Sequence, residues 1–282
     1  MVEKNKKLHT FAYHLFAIIL GFFMIYPLLW LIASSFKENS EIFINSYTLI
    51  PKNWAVIENY STGWKGVAGV TFGRFILNTL FVTTVSTFGN VSCSLLAAYA
   101  LSRVKFRGSK FWFTCVMVSM MVPNQVMVVP QYIIFKKLGL VNSYVAMIAP
   151  WFFGGAFFIF LMIQFFRGIP KEMDEAANID GCGKMKTLFY ILIPMVSPAI
   201  VTSAIFSFYW IWQDFFQPLI FINTPEKYTV SLALKLFLDP ASFSNYGGMF
   251  AMCSISLIPV IIFFICFQKY LVEGMATSGI KG

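Results

Sequence analysis

Six stretches of this chain contain no Asp, Glu, Lys or Arg: 8–36, 75–102, 111–135, 138–166, 187–213 and 240–268. Each exceeds the roughly 20 residues that an α-helix needs to cross a hydrocarbon core. Lipid offers no partner to a backbone amide, so runs this long must satisfy their hydrogen bonds internally, as helices. An all-α integral membrane fold with six transmembrane helices follows. The chain has 282 residues, of which only 12% are charged, against roughly 25% in soluble domains.

Basic residues set the orientation, because cytoplasmic loops are enriched in Lys and Arg. With the N-terminus inside, 13 of the 21 bases fall on inner segments and 8 on outer ones, and the charges of loop 103–110 are all basic. Both termini are expected in the cytoplasm, and the net charge of +9 is largely topology. No soluble face gathers bases beside aromatic platforms, which excludes nucleic acid as a partner. Lys4, Lys6 and Lys7 precede an apolar run, as in a signal peptide. That run outlasts a signal core of about 7–15 residues and lacks a small-x-small site, so an uncleaved anchor is expected. Five scattered cysteines with no C-x-x-C, and two histidines, His9 and His14, form no metal or redox constellation.

The expected organisation is 1–73 (tail, first helix and external loop), a membrane domain at 74–270, and a tail at 271–282. The loop 37–74 contains Tyr47, Trp54, Tyr60 and Trp64. Such residues favour the headgroup zone, so the loop is expected to lie over the outer surface as a lid, or to meet an external partner. No internal repeat of the kind that marks secondary transporters is visible.

The inner loop 167–194 is the one polar island. Pro170 suits a first helical position, and Glu172, Asp174 and Glu175 crowd a first turn, facing the positive end of the helix dipole. Met173, Ala176, Ala177 and Asp180 recur at helical spacing, and Gly181 fits a helix terminator. A second short helix is expected from about 184 to 190, ending before Pro194. Gly183-Lys184 is no phosphate loop: Asn178 stands where its first Gly belongs, and Met185 replaces the Ser or Thr. The chain cannot hydrolyse ATP by itself. Two such short helices need something to pack against, so the island is expected to be a docking surface.

Inside the fifth span, Ser203, Ser207, Trp210, Asp214 and Gln217 step by four, three, four and three, which is one helical face. An aspartate there should face the bundle or water. The stripe either lines a path, with Trp210 stacking on a ring and Asp214 and Gln217 bonding hydroxyls, or it bonds between helices. In the third span Pro123 and Pro130 predict a kink. Asn124 and Gln131, seven residues apart on one face, are further candidates for the path.

Glu175-Ala176-Ala177, then Gly181, then Ile191-x-Ile193-Pro194 resembles the EAA loop of ATP-binding-cassette (ABC) importer permeases, departing only in Ile193 for Leu. The likeness continues at Asn78-Thr79, at Ala98-Tyr99-Ala100-Leu101-Ser102-Arg103, at Leu138-Gly139-Leu140-Val141-Asn142-Ser143-Tyr144, and at Gln268–Gly274 with Gly279–Gly282. It covers nearly the whole chain and is similar to the carbohydrate branch, specifically the second permease of the maltose type. The resemblance implies a type I importer permease fold in a bacterial cytoplasmic membrane. It implies as partners a second permease subunit in a heterodimer, two ATPase subunits and an extracytoplasmic solute-binding protein, with an oligosaccharide as substrate. ATP and magnesium would sit on the ATPase, with no cofactor in this chain. Glu175, Ala176, Ala177, Asp180, Gly181 and Pro194 would form the coupling helix and its flank, seated in a cleft of the ATPase. Eight outer bases against Glu38, Glu41, Glu58, Glu226 and Asp239 are compatible with an acidic, uronate-containing sugar. A permease for a non-sugar solute and a stand-alone secondary transporter are the alternatives.

Overall fold

The computed structural model describes residues 2–238 and 245–279, with side chains for 9–238 and 245–269. Asp239, the start of the 240–268 stretch, and Ile280, Lys281 and Gly282 of the tail lie outside the described residues. The described chain is helical apart from two isolated bridges, Lys37 with Trp54 and Val67 with Val70. In order come α1 (Val2–Ser34), α2 (Glu41–Ile44), α3 (Val56–Lys65), α4 (Phe72–Arg103), α5 (Ser109–Met120), α6 (Asn124–Lys137) and α7 (Tyr144–Ile148). A 3-10 turn at Ala149–Phe153 leads to α8 (Ala156–Gly168) and α9 (Glu172–Ile179). Then follow α10 (Lys184–Met195), α11 (Ser197–Trp212), α12 (Phe216–Phe221), α13 (Val230–Leu236) and α14 (Tyr246–Gly279).

Four segments are long and apolar enough to cross a membrane by themselves: His9–Ser34, Phe72–Arg103, Tyr144–Gly168 and Tyr246–Lys269. Two more are bent pairs, α5 with α6 at 104° and α10 with α11 at 77°, so the count reaches six when each pair is one span. The bends depart from expectation. Pro123 does not merely kink the third span: it stands extended before Asn124 (ψ 131°) and starts a new helix. Pro194 does not stop the island's second helix, which runs through it to Met195. Thr187–Leu192 is a π-helical stretch. Its wider i→i+5 pattern makes room for a proline ring that would clash with an α-helical carbonyl four residues back. The break falls instead at Val196, just before Ser197-Pro198.

The chain divides into two units. One comprises 1–73 and 233–258. Here α1 buries none of its most apolar stretch against its own chain. The segment after it is tightly internally bonded. Lys37 is fully buried and donates to the carbonyls of Asn45 and Thr48. The Glu41 carboxylate accepts the backbone N–H groups of Lys52 (2.9 Å) and Asn53 (3.2 Å). The Asn59 amide donates to the carbonyls of Ser35 and Lys37. A Cβ on Gly247 would collide with Asn59, and one on Gly63 would come within 2.9 Å of the Gly248 carbonyl oxygen, so α3 meets the start of α14 nearly backbone to backbone.

The other unit comprises 74–232 and 259–282. Its main apolar cluster joins Leu95, Ala98 and Tyr99 of α4, Met162 and Phe166 of α8, Leu188 and Leu192 of α10, and Val196 and Ala199. A second cluster joins Val82, Val128, Met147, Ile211 and Phe221. Between them α4 buries a polar stripe that includes Thr79, Thr83, Ser86, Asn90 and Ser94. Asn90 accepts the Gly155 N–H (2.7 Å) and donates to the Ser207 hydroxyl (3.0 Å). The chain is non-helical at Gly154–Gly155, where an unpaired amide in hydrocarbon would cost several kcal/mol, and Asn90 supplies the missing acceptor.

Candidate functional site

The polar loop starts where α8 ends at Gly168. Ile169 is buried and extended, and α9 begins at Glu172, two residues later than Pro170 would have set it. Glu172, Asp174 and Glu175 occupy its first turn, as the charge pattern predicted. Asp180 ends the helix by donating its N–H to the Ala176 carbonyl, and Gly181 follows at φ +75°. The left-handed step lets the Cys182 N–H reach the Ala177 carbonyl at 2.8 Å, closing the end of the helix.

Of the residues singled out in this loop, Glu175, Ala176, Asp180, Gly181 and Pro194 are exposed. Ala177 is not. It is buried within its own chain, so of the two alanines only Ala176 is available to a partner. At about 100° per residue, Met173, Ala176, Ala177 and Asp180 share one side of α9, with Ala177 at the edge that meets the chain and the other three exposed. Around the exposed positions lie Ile179, 86% exposed, with Met185, Phe189 and Tyr190. An apolar, acid-edged surface on a polar loop is what a docking site presents.

Two residues at the C-terminal end of α4 hold this loop. The Tyr99 hydroxyl donates to the Lys184 carbonyl at 2.9 Å, and its ring packs on Phe166. The Arg103 guanidinium pairs with Asp174 at 2.6 Å and donates to the carbonyls of Ile169 (2.6 Å) and Phe166. In the sequence Arg103 reads as one of four inner-loop bases; nothing in the pattern separates a residue that turns inward from a topological charge.

The expected stripe in the fifth span does not survive as one face. Ser203 and Ser207 are fully buried, and Ser207 bonds Asn90, the interhelical reading of the two. Trp210 is 38% exposed among Phe157, Phe158 and Phe206. α11 then ends at Trp212, and Asp214 lies in the break. Its carboxylate accepts the N–H groups of Phe216 (3.0 Å) and Gln217 (3.3 Å), capping α12, while its carbonyl accepts the Ser231 hydroxyl. Gln217 sits half-buried on that second helix, past the break. Asn124 is exposed at the first position of α6 and Gln131 is half-buried two turns on.

At the other end of this unit, amides join the loops. Asn142, at φ +62°, accepts the N–H groups of Asn223 and Thr224 and the Thr224 hydroxyl on its side chain. The Lys227 ammonium donates to the Asn142 carbonyl at 2.6 Å. Asn78 donates to the carbonyls of Glu226 and Tyr228, and the Thr79 hydroxyl accepts the Val230 N–H. Asn78-Thr79 and the segment around Asn142 therefore have a physical role in fixing the loops at this end.

These features define a polytopic helical membrane protein whose polar loop 167–194 is pinned at the C-terminal end of α4. The chain belongs to the family of binding-protein-dependent transport system inner membrane components, which matches residues 90–277. It is 37% identical over 259 residues to a probable ABC transporter permease protein of Bacillus subtilis, YurM, covering 91% of this chain and 84% of that one. It is 31% identical over 266 residues to the arabinooligosaccharides transport system permease protein AraQ of Halalkalibacterium halodurans, covering 93% of both. Over 267 residues it is 31% identical to the trehalose/maltose transport system permease protein MalG of Thermococcus litoralis, covering 94% of this chain and 95% of the other. The fold is shared with a chain of the crystal structure of a bacterial ABC transporter involved in the import of the acidic polysaccharide alginate, at TM-score 0.81 and 21% identity, over 95% of this chain and 98% of that chain. This is a multi-pass permease subunit of an ABC importer, of type I fold and dependent on a solute-binding protein.

Proposed function

We propose that this chain forms half of the path of an ATP-driven oligosaccharide importer and is moved through the loop 167–194. The observation that carries the reading is the anchored loop with its outward surface: Glu175, Ala176, Asp180 and Ile179 face away from the chain while Ala177, Leu188 and Leu192 are buried in it. With no phosphate loop of its own, the chain draws its energy from two cytoplasmic ATPase subunits carrying ATP and magnesium, beside a second permease as heterodimer partner. That places the N-terminal tail and the tail 271–282 in the cytoplasm, flanking the membrane domain 74–270. Glu175 offers its charge to a basic residue of the ATPase cleft, Gly181 turns the chain, and Pro194 lies where the loop enters the span. Trp210, with the half-buried Gln217 and Gln131, supplies the path from this side.

Oligosaccharide is the substrate class because the relatives named for a substrate carry arabinooligosaccharides or trehalose and maltose. A uronate-containing sugar is the second reading, favoured by the outer bases. The structure weakens that count, since Lys37 is buried and Lys227 is bonded to Asn142. Family membership sets aside the stand-alone secondary transporter. The test is reconstitution with the second permease, the ATPase and the binding protein, assaying ATP hydrolysis and uptake with neutral pentose and hexose oligosaccharides, uronate oligosaccharides, a polyamine and phosphate. Stimulation by an oligosaccharide is expected; stimulation only by the polyamine or phosphate, or uptake driven by an ion gradient without ATP, overturns it.

A further inference from the structure

A loop that transmits force must be stiff, and α9 is not stiff by itself: eight residues of helix do not hold alone in water. Its stiffness has to come from its attachments. Part of this is apolar and short-ranged: Ala177 is buried, and downstream of α9 the α10 residues Leu188 and Leu192 pack in the cluster around Tyr99 and Phe166. One attachment is different in kind. The Arg103 side chain, 5% exposed, closes α4 and reaches two further elements at once. One terminal nitrogen holds Asp174 in the first turn of α9. The other holds the carbonyls of Phe166 and Ile169, at and just beyond the end of α8. The Phe166 carbonyl also accepts the Ile169 N–H and the Ile169 carbonyl lies just past the helix end, and a cation there meets the negative end of the helix dipole. The Nε has no partner, so the whole engagement runs through the two ends of the fork. A planar guanidinium can serve three diverging acceptors together, which a lysine ammonium on a flexible stem does poorly.

Resting on the reading of α9 as the ATPase-coupling helix, we infer that Arg103 is the positioning residue that makes the inner end of α4, the end of α8 and α9 one rigid lever. Displacement of α9 is delivered to α4 because this side chain leaves no slack between them. Without it, α9 rides on its apolar contacts alone and part of its motion is absorbed within the loop. ATP is then still hydrolysed, but less of each stroke reaches the membrane spans.

The test uses the complete importer in proteoliposomes, with Arg103→Gln, Arg103→Lys and Asp174→Asn. Uptake and ATP hydrolysis are measured on the same preparation. Uptake per ATP is expected to fall roughly tenfold in Arg103→Gln and less in Asp174→Asn, with partial rescue by Arg103→Lys, a size within ordinary coupling free energies. Independently, nitroxide labels replacing the exposed Asn178 and Lys105, in a background without the five cysteines, report the separation of α9 from the end of α4. ATP is expected to leave that separation unchanged in the parent and to lengthen or broaden it in Arg103→Gln. Parental uptake per ATP in both Arg103→Gln and Asp174→Asn overturns the inference. So does a parallel loss of hydrolysis and uptake with the label distance still fixed, which would make Arg103 a static staple. If Arg103→Gln fails to assemble, Asp174→Asn decides by the same two readouts. Failure of the coupling reading itself shows earlier, as a parent complex whose uptake needs no ATP.

Discussion

Asp214 shows how a single side chain can be drawn from one role to another by its nearest neighbours. Placed on a continuous helix it would be a carboxylate in the membrane facing a path; in the structure it accepts two N–H groups just beyond itself and starts a new helix. Local bonding of Asp to nearby backbone competes with helix continuation, and a four-three periodicity is blind to that competition. Asn caps as well as Asp does, whereas Ala costs about 1 kcal/mol. Asp214→Asn is therefore expected to keep uptake and stability near the parent, and Asp214→Ala to lower the thermal midpoint in detergent. Loss of uptake in Asp214→Asn with stability intact would return the charge to the path. Asn90 is the converse case, an amide within a span that sequence reading passed over although polar residues at such depth are rarely idle. Removing its side chain orphans the Gly155 N–H, for which a penalty of about 1–3 kcal/mol is the usual scale. Asn90→Ala is expected to unfold at lower temperature without altering the exposed surface of α9, which binding of the ATPase in detergent would check.

Among elements, the loop 167–194 was the most legible. Its acidic first turn and its Gly terminator each follow from helix-end physics and stand where the pattern put them. Its attachment was not legible, because Arg103 meets Asp174 across 71 residues and no local rule reaches so far. Substitutions on the exposed side should separate folding from coupling. Glu175→Lys and Gly181→Asp are expected to leave the assembled protein stable while uptake per ATP falls severalfold; a parental ratio in either would remove that residue from the interface. The segment 37–60 makes a different prediction. The Glu41 carboxyl is held below the usual carboxylate range, chiefly by the Lys52 N–H and against the cost of burial, with help from the Asn53 N–H and the charges of Lys37 and Lys52. A depressed folded value means these contacts stabilise fully above the unfolded pKa and weaken as pH falls through the folded one. Protection of the Lys52 and Asn53 amides from hydrogen exchange, relative to an unstructured peptide at the same pH, is expected to fall below about pH 4, near the ordinary glutamate value. Glu41→Gln should exchange fast at every pH, and an unchanged profile in that variant would dismiss the carboxylate as the cause.

At the scale of the molecule, the number of spans was readable and their shape was not. Freedom from charge over some 25 residues is a property of composition, so six spans could be counted. Where a span bends depends on whether another helix can satisfy the backbone that the bend exposes, as Asn90 does for Gly155, and that is a tertiary fact. The two prolines show both outcomes: Pro123 ends up between helices, while Pro194 stays within one.

The π-helical stretch at Thr187–Leu192 has a consequence for chain length. A ladder that skips five residues where the α-helix skips four holds one residue more than the turn requires. Deleting a single residue between 187 and 192 would let the ladder close as α-helix, leaving what lies on either side facing as before. The same deletion in α9 would rotate everything after it by about 100°. A scan of one-residue deletions across 172–195 should therefore find its tolerated sites within those six positions, scored by expression and uptake. Uniform intolerance would mean that the spare residue is held there by a partner.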